Sequence, residues 1–339
     1  MTATTMTAVA PATAGRTVPG RVLTGDRPTG GLHLGHYFGT LANRVRLQRQ
    51  GCELFVVVAD YQVVTDRDRP VDLPRLRAAM VLDYLACGID PDAATIFAHS
   101  AVPALNQLLL PFLSLVSTGE LDRNPTVKEE IRTAGRSSVS ALMLTYPVHQ
   151  AADILFCKAE LVPVGKDQLP HLELTRAIAR RFNERYAPVF GLPEGLLGAT
   201  GTLLGLDGRK MSKSLGNGIA LADSPDQVAA KVRAARTDSE RRISYEPETR
   251  PEVATLLTLA GLCLGEDPAA VAERIGAGGA AELKRVVIDA VNELLAPIRA
   301  RRAELALADA ELILRRGADR AREIADRTLA EVNAAMRMG

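Results

Sequence analysis

A chain of 339 residues that is 47% hydrophobic and 24% charged has room for about two domains with ample cores, which excludes a peptide hormone, a lone finger or a short interaction module. The same composition excludes collagen-like, low-complexity and disordered chains. With 41 Lys+Arg against 40 Asp+Glu the net charge is +1, so no bulk positive field advertises nucleic acid, and RNA contact requires a local patch.

Residues 1–19 are an Ala/Thr/Pro-rich stretch whose one basic residue is Arg16. Without a charged start and a long apolar run it reads as a flexible tail, with an organellar transit peptide as the alternative to it and a signal peptide excluded. Arg21 to Thr24 forms a first strand. Gly25-Asp26-Arg27-Pro28-Thr29-Gly30-Gly31 then turns the chain into a helix. Leu54 to Ala59 is a second buried strand ending at Asp60, and Thr95 to Ala98 a third. Between them Pro74 opens a helix that Gly88 closes just past Cys87. After a helical connection at about residues 100–145, Leu161 to Val164 is a fourth strand, and the next helix carries Leu172, Ile178 and Phe182. Strands alternating with helices predict a Rossmann-like α/β fold, a doubly wound parallel sheet over residues 20–220.

From residue 221 to 339 the texture is Ala-, Arg- and Glu-rich, and Leu283, Val287, Val291, Leu294 and Ile298 fall on one stripe, which predicts an all-α module. Its arginines 299, 301, 302, 315, 316, 320 and 322 are interleaved with Glu304, Asp309 and Glu311. Such a run fits a solvated mixed-charge face or an RNA track. Cys52, Cys87, Cys157 and Cys263 make no C-x-x-C pair and read as reduced core thiols in a cytoplasm. No apolar run approaches the roughly 20 residues of a membrane span.

Two clusters carry chemistry. His33-Leu34-Gly35-His36 opens the first helix, where free backbone N–H groups and two imidazoles can meet phosphate and a glycine admits a nucleotide. Arg209-Lys210-Met211-Ser212-Lys213-Ser214 sets cations and hydroxyls in a loop able to neutralise a departing pyrophosphate. Either cluster alone is also compatible with an ordinary polar turn or surface loop.

Together, H-x-G-H on the first crossover and a later K-M-S-K-S form the motif pair that the chain shares by resemblance with class I aminoacyl-tRNA synthetases. Thr145-Tyr146-Pro147 through Asp153, Gly165-Lys166-Asp167-Gln168 and His171 to Arg176 are similar to the amino-acid pocket of the tryptophanyl branch, and the likeness runs from about residue 20 to the end. The resemblance implies tryptophan activation by ATP with Mg²⁺ carried on the phosphates, transfer to tRNA(Trp), no protein-held metal, a homodimer and no membrane partner. It further implies an anticodon-reading role for the helical module, with the C-terminal helix packing back on the catalytic domain.

Carried over residue by residue, the catalytic set is His33, His36, Lys128, Lys210 and Lys213. The ATP set is Arg27, Pro28, Thr29, Gly35, His36, Gly165, Lys166, Asp167, Leu203, Lys210, Met211, Ser212, Lys213 and Ser214. Asp153 accepts the indole N–H, Tyr146 and Gln168 hold the α-amino group, and Gln150 and Gln62 lie beside the ring. A site built to hydrogen-bond its substrate rejects analogues that lack the donor. Arg27, Gln62 and Lys166 depart from the commoner glutamine, histidine and glutamate, a pattern resembling a divergent or auxiliary bacterial form. The competing readings are a tyrosine-specific relative, a non-charging paralogue and a small nucleotidyltransferase.

Overall fold

The computed structural model describes residues 20–65, 71–134, 139–197, 203–209, 211 and 216–338. The expected N-terminal tail, Lys210, Ser212, Lys213 and Ser214 therefore lie outside the described residues.

Strand β1 (Arg21–Asp26) leads into a helical run made of α1 (Leu34–His36), a wider turn and α2 (Ala42–Arg49). Then come β2 (Glu53–Val58), α3 (Leu73–Ala86) and β3 (Ala94–Ala98). Asp72 starts α3 by accepting the Arg75 N–H, with Pro74 in the first turn. The connection to the next strand holds α4 (Ala104–Leu113), α5 (Thr118–Arg123), α6 (Pro125–Ala134) and α7 (Ala141–Phe156). After it, β4 (Leu161–Val164), α8 (Leu169–Arg185) and β5 (Glu194–Leu197) complete the sheet. The last third is α9 (Pro225–Ala234), α10 (Pro251–Leu264), α11 (Pro268–Ile275), α12 (Gly279–Ala303) and α13 (Leu307–Met336).

All sheet pairings are parallel, in the order β3-β2-β1-β4-β5. Order reverses between β1 and β4, the topological switch point where doubly wound sheets bind ligands outside the carboxyl ends of their strands. The crevice there is explicit in the register. β1 pairs with β2 along its whole length, but with β4 only through Val22 and Leu161, so the two strands part beyond that pair.

Alternation along the strands feeds two cores. Val22, Leu54, Val56 and Val58 pack on one face, and Leu23, Phe55, Val57 and Phe97 on the other. The first core does not stop at residue 220. Leu34 and Val81 share it with Val228, Leu257, Val287 and Ile298, so the two halves are one hydrophobic unit. In α12 the stripe departs from expectation by one position: Leu295 is buried and Leu294 only partly so. The cysteines are free; Cys263 is half-buried and the other three are buried.

The C-terminal arginines keep a largely solvated face but also make contacts that their spacing does not reveal. Arg299 donates to Asp223 O, Arg301 to Ala86 O and Arg302 to Asp83 Oδ1. Arg316 pairs with Asp92, Arg320 with Glu53, and Arg322 donates to Ala101 O. Six of the seven thus tie the helices to the rest of the chain, while Arg301, Arg315, Arg316, Arg320 and Arg322 remain solvent-exposed. The α13 backbone comes so close to β3 that a Cβ on Gly317 would lie 1.9 Å from Ile96 O.

Gly317→Ala should therefore destabilise by more than about 2 kcal/mol, because neither backbone can retreat without breaking the packing. Gly39→Ala, a helical-run glycine with open space around its would-be Cβ, should be neutral or stabilising by up to about 1 kcal/mol. Urea midpoints of the two variants check this; equal effects would contradict the close approach.

Candidate active site

The first loop is positioned by a buried ion pair. Arg44, fully buried in α2, donates to Asp26 Oδ2 at 2.6 Å, to Thr24 Oγ1 and to Gly25 O. Tyr84 donates to the same Asp26 oxygen. Burial alone would raise the Asp26 pKa, but the Arg44 charge and hydrogen bond outweigh it and hold the carboxyl well below its usual range. The end of β1 is thus clamped to the helix that follows the loop.

Beyond the loop, Leu32 to Leu34 is strapped to the residues after K-M-S-K-S. Leu34 N–H donates to Ile219 O at 3.0 Å, Leu221 N–H donates to Leu32 O at 2.9 Å, and His33 bridges Ala220 in antiparallel fashion. Leu32 N–H reaches buried Asp83, which also takes Arg302. His33 caps the helix: its Nδ1 accepts from Gly35 N–H, His36 Nδ1 accepts from His33 N–H, and His36 N–H donates to His33 O. The expectation of free N–H groups at this helix start is corrected, because those of Leu34, Gly35 and His36 are all spent within the protein. Any ligand at this helix start would have to be met by side chains. The two imidazole centroids are 3.9 Å apart. Gly35 is required beneath them, since a Cβ would sit 2.9 Å from the His33 ring and 3.5 Å from Met211 Sδ.

Of the K-M-S-K-S segment, Met211 is described. It is buried, and its N–H donates to Leu203 O at 3.2 Å. Gly205 and Leu206 bond to Arg209 and Asn217, framing the loop base. Arg27, Pro28 and Thr29 follow the carboxyl end of β1 and Gly165, Lys166 and Asp167 that of β4, the latter three exposed on the far wall of the crevice. Lys128 is exposed on α6.

Tyr146, Gln150 and Asp153 lie at i, i+4 and i+7 on α7 and share one face. A polar chain fixes the first of them. Asn124 Oδ1 accepts from Thr126 and Val127 N–H, so its amide donates to His171 Nδ1 at 3.2 Å. His171 therefore carries its proton on Nε2 and donates it to Tyr146 Oη at 2.9 Å. The phenol proton is then directed to Glu130, which pairs with Arg27 at 3.1 Å. Burial raises the Tyr146 pKa, and Glu130 raises it further. The unusual Arg27 thus has a partner in this chain, while nothing in the structure explains Lys166. Gln168 is half-buried beside Asp167, its amide 3.4 Å from that carboxylate. Gln62 is buried in the turn after β2.

Two residues that sequence reasoning passed over join this wall. His99, just past β3, contacts Asp153 Oδ1 through Nε2, and its ring stacks on His149 with centroids 4.3 Å apart and planes 11° apart. Both histidines are almost wholly buried, and His99 Nδ1 and His149 Nε2 have no partner among the described residues. Nothing in the local pattern marked them: His99 reads as a strand end and His149 as one residue of a pocket stretch. Burial would lower the His99 pKa, but Asp153 reverses this and raises it; burial lowers that of His149. His99, His149 and Asp153 have the donor types of a metal site, but the near-parallel rings keep their in-plane lone pairs in two separate planes, which one ion cannot occupy together.

The chain matches the family of class I tRNA synthetases (W and Y) over residues 16–296. It belongs to that family. It is 46% identical over 327 residues to a Tryptophan–tRNA ligase of Treponema pallidum, covering 93% of this chain and 96% of the relative. A Tryptophan–tRNA ligase of Streptococcus agalactiae serotype V is 44% identical over 330 residues, covering 93% and 97%. Among solved structures, tryptophanyl-tRNA synthetase from Campylobacter jejuni complexed with ADP and tryptophan superposes with a TM-score of 0.80 at 30% identity, covering 93% of this chain and 99% of that one.

The Tyr146 support makes a pH prediction. Burial lowers the His171 pKa from its ordinary 6.5 to about 4. Between those values the unfolded chain binds more protons, so stability rises with pH across the window and falls on acidification, by up to about 3 kcal/mol. In urea unfolding at pH 7 and pH 5, His171→Gln should lose less stability than the native protein. Equal losses would contradict the assignment.

Proposed function

We propose that this protein is a tryptophan–tRNA ligase: it condenses L-tryptophan with ATP to tryptophanyl-adenylate and pyrophosphate, then transfers the aminoacyl group to tRNA(Trp). The observation that carries the reading is Asp153, a buried carboxylate with one oxygen engaged by His99, on the α7 face shared with Tyr146 and Gln150. An indole N–H can donate to this carboxylate, as a phenol O–H also can, so the preference for tryptophan over tyrosine rests on the relatives. High identity to ligases of that name along nearly their whole length supports the same choice.

The reaction needs no protein nucleophile. The tryptophan carboxylate attacks the α-phosphorus, the bond to the β-phosphate bridging oxygen breaks, and pyrophosphate leaves with that electron pair. What the protein supplies is positioning and charge. Tyr146 and Gln168 hold the ammonium, and Asp153 takes the indole N–H with Gln150 and Gln62 beside the ring. Arg27, Pro28, Thr29, Gly35, Gly165, Lys166, Asp167, Leu203 and Met211 line the nucleotide. His33, His36, Lys128, Lys210 and Lys213 meet the phosphates, with Ser212 and Ser214 in the same loop. In the second step a terminal ribose hydroxyl of the tRNA attacks the adenylate carbonyl and AMP leaves.

Mg²⁺ enters as part of the nucleotide substrate. Asp26 and Asp83, the carboxylates bonded to the first loop and its helix, are committed to Arg44 and Tyr84 and to Leu32 and Arg302, so they offer no resident set for it. We place the protein in the cytoplasm as a homodimer; no single described helix is long and apolar enough to cross a membrane. The helical module is assigned to anticodon recognition.

Exchange of labelled pyrophosphate into ATP should depend on tryptophan and not on tyrosine. Asp153→Ala should weaken tryptophan use by about 2 kcal/mol. Lys210→Ala or Lys213→Ala should slow adenylate formation far more than it weakens tryptophan binding, since the charge they meet develops as pyrophosphate departs. Exchange driven equally by tyrosine, or an undiminished rate in both lysine variants, would contradict the proposal.

A further inference from the structure

We infer that His99 is the positioning residue of the amino-acid specificity carboxylate: its Nε2–H holds Asp153 Oδ1 and so reserves Oδ2 for the indole N–H. This rests on Asp153 being the indole acceptor, as proposed above.

The placement comes from three elements. His99 opens the turn after β3, and the neighbouring Ser100 is pinned by buried Asp60 at the end of β2: Ser100 N–H donates to Asp60 Oδ1 at 3.0 Å, while Arg77 of α3 donates to Oδ2 at 2.7 Å. On α7, His149 and Asp153 are one turn apart, so a ring entering from β3 can stack on the first and bond the second. Tyr61 lies over both imidazoles, with centroids 5.9 Å from His99 and 6.1 Å from His149.

The charges around His99 favour a cationic ring. The groups facing it are Asp153 and His149 from α7, and Asp60 and Tyr61 from the segment after β2. Asp60 is already neutralised by Arg77. His99 is therefore the one cation that meets Asp153 among the described residues, and the Asp153 charge extends its protonated range to higher pH against the effect of burial. His149, kept neutral by burial, lies against it as a flat polarisable ring and adds no second charge. Among the described residues Asp153 Oδ1 has no other hydrogen bond and Oδ2 has none. A carboxylate paired in this way keeps a fixed plane and presents one oxygen. Unpaired, it would be free to rotate about its side-chain torsions and would offer the indole no fixed acceptor.

The test exploits the absence of tryptophan from the chain, which makes ligand indole fluorescence a background-free report of binding. Dissociation constants for tryptophan and for 3-benzothienylalanine, in which sulfur replaces the N–H, are measured from pH 5 to pH 8 for the native protein, Asp153→Asn, His99→Leu and His99→Gln. The inference expects His99→Leu to bind tryptophan about 10-fold more weakly while binding the sulfur analogue nearly as the native protein does. Discrimination shrinks accordingly. His99→Gln, which restores a neutral donor and guards against misfolding of the leucine variant, should recover discrimination. Native discrimination in both His99 variants, with Asp153→Asn impaired, would overturn the inference alone. An Asp153→Asn variant that discriminates like the native protein would overturn the Asp153 reading and this inference with it.

Discussion

The short antiparallel strap between Leu32–Leu34 and Ile219–Leu221 is the contact on which the rest of the site depends. Two backbone hydrogen bonds cross it. Leu32, Leu34, Ile219 and Leu221 are all fully buried at the join, so it is held by a hydrophobic staple as well as by its ladder. The H-x-G-H helix start and the chain leaving K-M-S-K-S are remote in sequence, and bringing them together costs loop-closure entropy that only buried contacts of this kind offset. Met211 beneath Gly35 and His33 extends the same join to the motif itself.

The strap also explains why the helical half is not an appendage. Asp83 accepts from Leu32 N–H on one oxygen and from Arg302 on the other. Arg299 reaches the carbonyl of Asp223, two residues past Leu221. The end of α12 is therefore bonded to both sides of the strap, and the core beneath is continuous from Val56 to Ile298. Arg302 of α12 thus reaches, through Asp83, the backbone N–H of Leu32 beside His33, and displacing α12 would disturb it.

Much of this was legible in the sequence. The apolar runs at Leu54 and Thr95 are strands because residues buried on both faces of a parallel sheet need no polar alternation, and the glycine loop and H-x-G-H fall on the first crossover. β5 was not legible: Glu194-Gly195-Leu196-Leu197 is four residues long, lacks β-branched side chains and leaves three of them exposed. Arginine spacing in α12 and α13 gave the charge but not its destination, since their partners at Asp83, Asp92 and Glu53 lie more than 200 residues away. The same distance problem hid His99. Its significance is a tertiary contact with Asp153, made where the turn after β3 meets α7. The helix-start N–H groups were misjudged for a related reason, because the partners that consume them include Ile219.

The most direct test is native-state hydrogen exchange across a urea series, following peptides that span Leu32–His36 and Ile219–Asp223. If the strap organises the site, both peptides are protected and lose protection together, with the slope of global unfolding. If Ile219–Asp223 exchanges at loop rates while Leu32–His36 stays protected, the two motifs are not held by this join and the account is wrong.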